Sequence, residues 1–144
     1  MPDMPLGNYG QNKKTSQNVN VLNLKELPYT LAICKLKPNQ DLPVWIRASA
    51  FYSVTKTSEE LSIVCEQSII PKNIECNKDW KAFKVEGLLD FSLTGILASI
   101  ANPLAKNKIS IFAVSTFDTD YILVKSESWI EAKLCLEKTG FKFI

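Results

Sequence analysis

The stretch ISIFAVSTFDTDYILV, residues 109–124, decides the fold that the sequence predicts. Two apolar segments, ISIFAV and YILV, flank the polar segment TFDTD, which is rich in turn-forming Thr and Asp. Apolar runs of this length, bounded by turn residues, are typical of two β-strands joined in a hairpin. The stretch therefore predicts a hairpin whose turn gathers the polar side chains of Ser115, Thr116, Asp118 and Asp120.

A strand and a helix are predicted upstream of this hairpin. The segment WKAFKVEGLLDF, residues 80–91, predicts a strand that is interrupted or bent at Gly87. Pro103 lies inside the helical pattern that follows, and because it lacks a backbone N–H we expect it to kink or divide the helix. Four apolar residues fall on one face of that helix: Ile96, Leu97, Ile100 and Leu104.

A second helix and a last strand are predicted downstream. Ser128 and Glu131 have the S-x-x-E spacing of a capping box, which predicts a helix start. Gly140 is expected to end that helix, and FKFI at residues 141–144 predicts a short strand. The order of this half is strand, helix, strand, strand, helix, strand. That order is typical of the ferredoxin-like βαββαβ unit.

The first half of the chain contains similar elements. LPYTLAICKLKP predicts a strand at residues 27–38, and a short helix over Pro43 to Arg47 follows, with Asp41 as its expected N-cap. FYSVTKT and ELSIVCEQ predict two strands joined by a turn at Ser58 and Glu59. IIPKNIECNKD, residues 69–79, is interpreted as a loop.

The two halves resemble each other. SVTKTSEELSIV, residues 53–64, lies sixty positions before AVSTFDTDYILV, residues 113–124, and Glu60 then corresponds to Asp120. Such an echo indicates a duplicated unit whose first copy has shorter helices. We therefore predict an α+β fold of two tandem ferredoxin-like units, with antiparallel sheets and helices packed on one face. The predicted domains are a flexible polar tail, an N-terminal unit and a C-terminal unit, at residues 1–20, 21–79 and 80–144.

Composition narrows the functional class. A chain of 144 residues with 46% hydrophobic and 22% charged residues can bury a core without disulfides. The formal net charge of +2 and the scattered basic residues give no support for a nucleic-acid partner. The apolar runs are too short for a membrane span, and without an apolar signal segment we expect a cytoplasmic protein.

Catalytic and metal chemistry receive no support from the side chains. The four cysteines form no CxxC pair and the chain has no histidine, so neither a metal site nor a cofactor is predicted. An imidazole general base is excluded for the same reason. We therefore expect a non-catalytic protein.

Two segments carry the candidate ligand chemistry. Ser92, Thr94 and Gly95 lead into the first predicted helix, whose N-terminal amides can hold an anion such as a carboxylate. Asp118 and Asp120 in the hairpin turn can bind an ammonium group. Each segment has a plainer interpretation: Ser92 or Thr94 is an N-cap, and the acidic turn is a solvated hairpin. Together the two suit a zwitterion, such as a free amino acid.

The run from DFSLTGILASIA through PLA to ISIFAVSTFDTDYILV, within residues 85–125, resembles an ACT domain. More narrowly, residues 27–144 resemble the small bacterial tandem-ACT proteins related to the animal CASTOR arginine sensors. That resemblance implies a regulatory module that pairs side by side and binds amino acids between units. It also implies a homodimer, because the animal sensors have four ACT units. The ligand contacts that it implies are Ser92, Thr94, Gly95, Ile96, Thr116, Phe117, Asp118 and Asp120.

The leading hypothesis is therefore an amino-acid sensor that acts on a regulated protein yet to be identified. One alternative is a scaffold of paired units that binds no ligand and serves protein–protein interaction. An enzyme is the least favoured class, since the sequence offers no catalytic constellation. The sequence does not name the amino acid.

Overall fold

A computed structural model describes residues 22–86 and 95–144. These residues form eight strands and two α-helices, with 3₁₀ helices at residues 44–48, 67–69 and 126–128. The strands are β1 (Asn23–Glu26), β2 (Leu31–Leu36), β3 (Tyr52–Lys56), β4 (Leu61–Glu66), β5 (Cys76–Glu86), β6 (Phe112–Ser115), β7 (Asp120–Lys125) and β8 (Lys142–Phe143). The helices are α1 (Ile96–Lys106) and α2 (Trp129–Lys138).

All eight strands belong to one sheet organised around β5. The order β3-β4-β2-β5-β1-β8 runs through the sheet, while β7 pairs with β5 and β6 pairs with β7. Trp80 pairs with Leu31 of β2 on one edge and with Lys125 of β7 on the other. Further along, β1 pairs antiparallel with β5 from Phe83 to Glu86. The single long strand β5 therefore joins the two halves of the sheet.

A β-bulge divides β5 into two segments. Asp79 has a φ of 66°, in the left-handed region, and the register with β2 shifts at this point. Cys76 lies opposite Cys34, whereas Trp80 lies opposite Leu31 on the other face of the sheet. Residues four apart in a regular strand share a face, so the extra residue reverses the alternation of β5.

Side chains from both halves hold this bulge. The Asp79 N–H donates to Gln67 Oε1 at 2.7 Å, and Gln67 Nε2 donates to Asp79 Oδ1 at 3.1 Å. From the other side, Lys125 Nζ donates to Asn77 Oδ1 at 2.6 Å and to the Lys78 carbonyl at 2.7 Å. The Lys125 ammonium also lies 5.2 Å from the centroid of the Trp80 ring. These contacts satisfy polar groups that the bulge removes from the ladder.

Three apolar clusters stabilise the sheet. The helical core joins both helices to one face of the second half: Leu24, Phe83, Val85, Ile100, Leu104, Ile109, Ile122, Val124, Trp129, Ala132 and Leu136. The thiol core lies under the 3₁₀ helices of the first half: Cys34, Leu36, Ile46, Leu61, Ile63 and Cys65. The inner core contains side chains of the opposite face: Leu31, Val64, Trp80, Ala82 and Leu123.

The sheet curls around the inner core. Phe51, which precedes the edge strand β3, contacts Tyr121 of β7 with ring centroids 4.9 Å apart. Strands β4, β2 and β5 lie between β3 and β7 in the sheet order. Neighbouring strands are about 4.8 Å apart, so these rings meet only because the sheet folds back on itself.

Most predicted elements of the described chain are confirmed, with five corrections. A strand begins at Cys76, so the predicted loop over residues 69–79 is too long. The strand β1 was not predicted, and because it occupies the edge of β5, β8 pairs in parallel with β1 and not with β5. Of the predicted kink or division at Pro103, the division is wrong, because α1 continues through Pro103, with Ile100 and Leu104 on both sides of it packed in the helical core.

The other two corrections concern helix caps. Ser128 precedes α2 as predicted but makes no side-chain capping bond. It ends a 3₁₀ helix with ψ at 3°, and an N-cap residue normally needs extended backbone. The predicted cap Asp41 is also wrong, because the 3₁₀ helix at residues 44–48 starts after Pro43 without a side-chain cap. The predicted bend at Gly87 lies outside the described residues.

The two hairpins β3–β4 and β6–β7 have the same turn chemistry. The Thr57 hydroxyl accepts the Glu60 N–H at 3.1 Å, and the Thr116 hydroxyl accepts the Thr119 N–H at 3.2 Å. In each case the following strand leads directly into a 3₁₀ helix. Thr57 therefore corresponds to Thr116 at a spacing of 59 residues. The predicted spacing of sixty is one too large, and Glu59, not Glu60, occupies the position of an acidic turn residue, Asp118.

Two helix ends permit a matched stability test. Gly140, with φ at 106°, ends α2 as predicted, and Lys108, with φ at 59°, occupies the same position after α1. We expect Gly140→Ala to destabilise the protein by about 1 kcal/mol, because an L-residue is strained at positive φ. A Cβ at Gly140 would meet no atom within 4 Å, so this cost is conformational.

Lys108→Gly should have the opposite sign and stabilise the protein by roughly 0.5 kcal/mol, since glycine relieves the strain but adds entropy to the unfolded chain. Urea denaturation of both variants would measure the two changes. Equal destabilisation by both variants would contradict the assignment of the two positions to the left-handed region.

Candidate functional site

The turn of the second hairpin is built from local hydrogen bonds. The Thr116 N–H donates to the Thr119 carbonyl at 2.8 Å. The Thr116 hydroxyl also donates to that carbonyl, at 3.1 Å, and accepts the Thr119 N–H at 3.2 Å. Ser115 and Asp120 are opposite each other across the strands, and the Ser115 hydroxyl donates to Asp120 Oδ1 at 2.6 Å. These bonds fix the backbone of a two-residue tip formed by Phe117 and Asp118.

Thr119 anchors this turn to the rest of the molecule. It is 5% exposed, and its hydroxyl donates to the Val85 carbonyl at 2.5 Å. Val85 is the last but one residue of β5. The turn is therefore fastened to the end of β5 from which the chain continues toward α1. Sequence reasoning missed Thr119, because a threonine in a polar turn gives no signal that it is buried.

The predicted hairpin residues differ in their environments. Phe117, at 81% exposure, and Asp118 lie exposed at the tip. Asp120 is half-buried and its carboxylate accepts the Ser115 hydroxyl. A carboxylate in this position can still accept a ligand ammonium, since each of its oxygens offers two lone pairs.

The start of α1 forms the second part of the predicted site. Gly95 is the N-cap residue, with φ at 80°, and no side chain of the described residues caps the helix. The Ser99 N–H donates to the Gly95 carbonyl at 2.8 Å, so the amides of Ile96, Leu97 and Ala98 precede the first intrahelical bond. Ile96 is half-buried against the helical core.

Ser92 and Thr94 lie outside the described residues. Gly95 occupies the N-cap position, and the plainer interpretation of Ser92 or Thr94 as a cap falls on residues outside the described range. A Cβ at Gly95 would meet no atom within 4 Å, and the helix start is exposed. Among the described residues, none caps these amides or covers the helix start.

Chain connectivity relates both parts to the same end of β5. Lys84 of β5 pairs with Tyr121 of β7. The end of β5 therefore extends beyond Asp120, the first residue of β7. After Glu86 the chain leads, through residues outside the described range, to Gly95 at the start of α1. The acidic turn is thus fastened to the end of β5 from which the chain continues toward the helix start.

A surface cavity of about 590 Å³ lies elsewhere, at the first half of the sheet. Its lining mixes both charges, with Lys35 and Lys78 against Glu60 and Glu75, and includes Cys34 and Cys76. None of the predicted ligand contacts lines it. The acidic hairpin and the cavity are separate features of the surface.

Three thiols in the first half influence one another. A hydrogen bond to Cys65, together with burial, raises the pKa of the Cys34 thiol. Burial also raises the pKa of Cys76, and the nearby Cys34 adds to this rise. No group of histidine, cysteine or acidic residues within the two described ranges has the arrangement of a metal site.

Within residues 22–86 and 95–144, neither helix has the length and apolar character needed to cross a membrane.

Comparison with known sequence families places the ACT domain in the second half. Residues 75–138 match the sequence model of the ACT domain. Residues 29–73 match the sequence model of a separate N-terminal domain. No match was found among curated proteins.

Solved structures extend the similarity over the described chain. A crystal structure of a protein from Agrobacterium tumefaciens is 36% identical, with a TM-score of 0.82 over 87% of this chain and 93% of that chain. A Vibrio cholerae protein of unknown function, described as a possible transport protein, is 16% identical, with a TM-score of 0.69 over 83% of this chain and 91% of that chain. The ligand-free regulatory subunit of aspartate kinase from Thermus thermophilus is 10% identical, with a TM-score of 0.57 over 83% of this chain and 99% of that chain.

The anchor of the acidic turn can be tested by removing one hydroxyl. We expect Thr119→Val to destabilise the protein by about 1–3 kcal/mol, because the Val85 carbonyl then loses its buried donor. Thr55→Val is the matched control, since Thr55 is exposed on the edge strand β3 and should change stability by less than about 0.5 kcal/mol. Thermal or urea unfolding measures both; equal effects would contradict the anchoring role.

Proposed function

We propose that this chain, which belongs to the family of the Agrobacterium tumefaciens protein and carries an ACT domain, is a non-catalytic regulatory protein that binds a free amino acid. The observation that supports the proposal is that the acidic hairpin turn is fastened to the end of β5 from which the chain continues toward the start of α1. The match of residues 75–138 to the ACT domain supports it.

The ligand contacts follow from charge complementarity. The ligand carboxylate binds the N-terminal amides of α1 beside Gly95 and Ile96, where the helix dipole is positive. Ser92 and Thr94, just before them in the chain, add hydroxyl contacts. The ligand ammonium binds Asp120 or Asp118, and Thr116 and Phe117 hold the tip of the turn. This arrangement accounts for both charges of a zwitterion without a phosphate-binding loop.

The protein contains two tandem ACT-like units that share β5. The pairing order β3-β4-β2-β5 of the first half, with 3₁₀ helices in place of α-helices, supports this division. The common turn chemistry at a spacing of 59 residues supports it as well. The boundary between residues 79 and 80 falls within β5, immediately after its bulge.

Two copies of the chain pair as a homodimer, which brings four units together. Exposed apolar side chains on the outer face of α2, Ile130 at 70% and Leu134 at 55%, support a partner surface on the helical side. Ligand binding between units favours one pairing geometry over another. The effect on a regulated protein is then limited by the difference in ligand affinity between the two geometries.

Amino-acid binding predicts ligand-dependent stabilisation. A ligand at about 100 times its dissociation constant adds about 2.7 kcal/mol to the free energy of unfolding. For a chain of this size the melting temperature should rise by several degrees. Thermal unfolding in the presence of each of the twenty amino acids at millimolar concentration would show it. A flat response to all twenty, with cooperative melting, would favour the scaffold without a ligand.

Replacement of the acidic residues separates the sensor from the scaffold. The variant Asp118→Ala with Asp120→Ala should lose the ligand-dependent rise in melting temperature, because the ammonium loses its carboxylate. Glu59→Ala is the matched control, since Glu59 occupies the same turn position in the first hairpin. An unchanged ligand response in the double variant would contradict the proposed ammonium contact.

A further inference from the structure

Three cysteines from neighbouring strands meet in the thiol core. Cys34 of β2 and Cys65 of β4 are 1% and 0% exposed, and Cys76 of β5 packs against the same cluster. All four cysteines of the chain, including the distant Cys135, are free thiols. A free cysteine in an apolar cluster can act simply as a small hydrophobic side chain. The strand register places one pair of these cysteines, Cys34 and Cys76, where a disulfide can form.

Cys34 and Cys76 lie directly opposite each other on antiparallel strands. The neighbouring pair is hydrogen-bonded, because the Lys35 N–H donates to the Glu75 carbonyl at 3.1 Å. The two cysteines therefore occupy a non-hydrogen-bonded position, where opposite Cα atoms are about 4.5 Å apart and side chains are closest. That separation falls within the range of about 4.4–6.8 Å that a disulfide spans.

Cys65 hydrogen-bonds the Cys34 thiol, but its backbone is less well placed for a disulfide to Cys34. It pairs with Ala32, so it is diagonal to Cys34 across β2 and β4. Diagonal neighbours on one face of a sheet are about 7–8 Å apart, which exceeds the usual reach of a disulfide. The register thus favours the pair of Cys34 and Cys76 over the alternative pair within the same cluster.

We propose that Cys34 and Cys76 form a reversible cross-strand disulfide by exchange with a low-molecular-weight disulfide such as oxidised glutathione. The disulfide joins β2 to the segment of β5 that precedes the bulge. It encloses residues 35–75, which contain the β3–β4 hairpin and the 3₁₀ helices of the first half. The modification therefore fastens the first half of the sheet to the strand that both halves share.

Exchange starts at the more accessible thiol. Cys76 is partly exposed, whereas Cys34 is buried beside it, and both cysteines line the cavity of about 590 Å³. Because burial raises the pKa of Cys76, the exchange needs mildly alkaline pH. The Cys76 thiolate formed there attacks oxidised glutathione, giving a mixed disulfide and releasing one glutathione thiol. The Cys34 thiolate then attacks the Cys76 sulfur and displaces the second glutathione. Two protein thiols are oxidised, one small disulfide is reduced to two thiols, and excess reduced glutathione reverses both steps.

Trypsin distinguishes every pairing, because cleavage after lysine places the four cysteines in separate peptides. These peptides are 26–35 with Cys34, 57–72 with Cys65, 73–78 with Cys76 and 134–138 with Cys135. The full chain is incubated with oxidised glutathione at mildly alkaline pH, alkylated, digested without reductant and analysed by mass spectrometry. The expected product is peptide 26–35 joined to peptide 73–78, which reductant separates.

Stability gives a second measurement on the same oxidised protein. Closing a loop of this length restricts the unfolded chain, and we expect the melting temperature to rise by roughly 5–15 °C, with reversal by reductant. Cys65→Ala and Cys135→Ala should leave both the linked peptide and this rise intact, whereas Cys76→Ala should abolish both. If a variant does not fold, peptide mapping of the oxidised protein without substitutions still tests which cysteines are linked.

Two results would overturn the proposal. One is a dominant link that involves peptide 57–72. The other is the absence of a link between peptides 26–35 and 73–78 under conditions in which the thiol of Cys135 has fully reacted with glutathione.

Discussion

The bulge at Asp79 is the constraint on which the rest of the structure depends. The strand β5 serves both halves of the sheet, and the extra residue reverses which face its side chains occupy. Cys76 can therefore pack in the thiol core while Trp80 packs in the inner core. Gln67 from the first half and Lys125 from the second half bind the bulge from opposite sides. Without it, one half would present the wrong face to its apolar neighbours.

The candidate ligand site depends on the far end of the same strand. Past the bulge, β5 pairs with β7 up to Lys84 and with β1 up to Glu86, and the Thr119 hydroxyl donates to the carbonyl of Val85 near this end. The acidic turn therefore has a fixed position relative to the strand that leads toward α1. A rigid scaffold that presents polar groups on a turn and on a helix start is a common way to build a binding site.

The sequence predicted the elements with strong periodicity and missed features that arise from tertiary contacts. The hairpin at residues 109–124 and both helices have apolar patterns that persist over a full element. The strand β1 has only Leu24 as an apolar side chain, and it forms because the edge of β5 is available to pair with it. The bulge at Asp79 lies in a polar stretch that is typical of a loop, so its place inside a strand could not be read from composition.

Of the candidate site, the acidic turn and the helix start were proposed from residue chemistry, whereas Thr119 was missed, because its burial depends on the distant carbonyl of Val85. Similarly, the correspondence between the two hairpins slipped by one residue, since sequence identity aligned Glu60 with Asp120 while the hydrogen bonds align Thr57 with Thr116. A one-residue shift matters in a sheet because it moves a side chain to the opposite face.

Amino-acid binding at this site is tested most directly by following the backbone amides of the labelled protein by NMR during titration with each amino acid. We expect one amino acid to shift two groups of amide signals together, those from Gly95 to Ala98 and those from Thr116 to Asp120. Shifts confined to residues that line the cavity of about 590 Å³, such as Lys35 and Glu75, would contradict it. The absence of any shift with all twenty amino acids would contradict it equally.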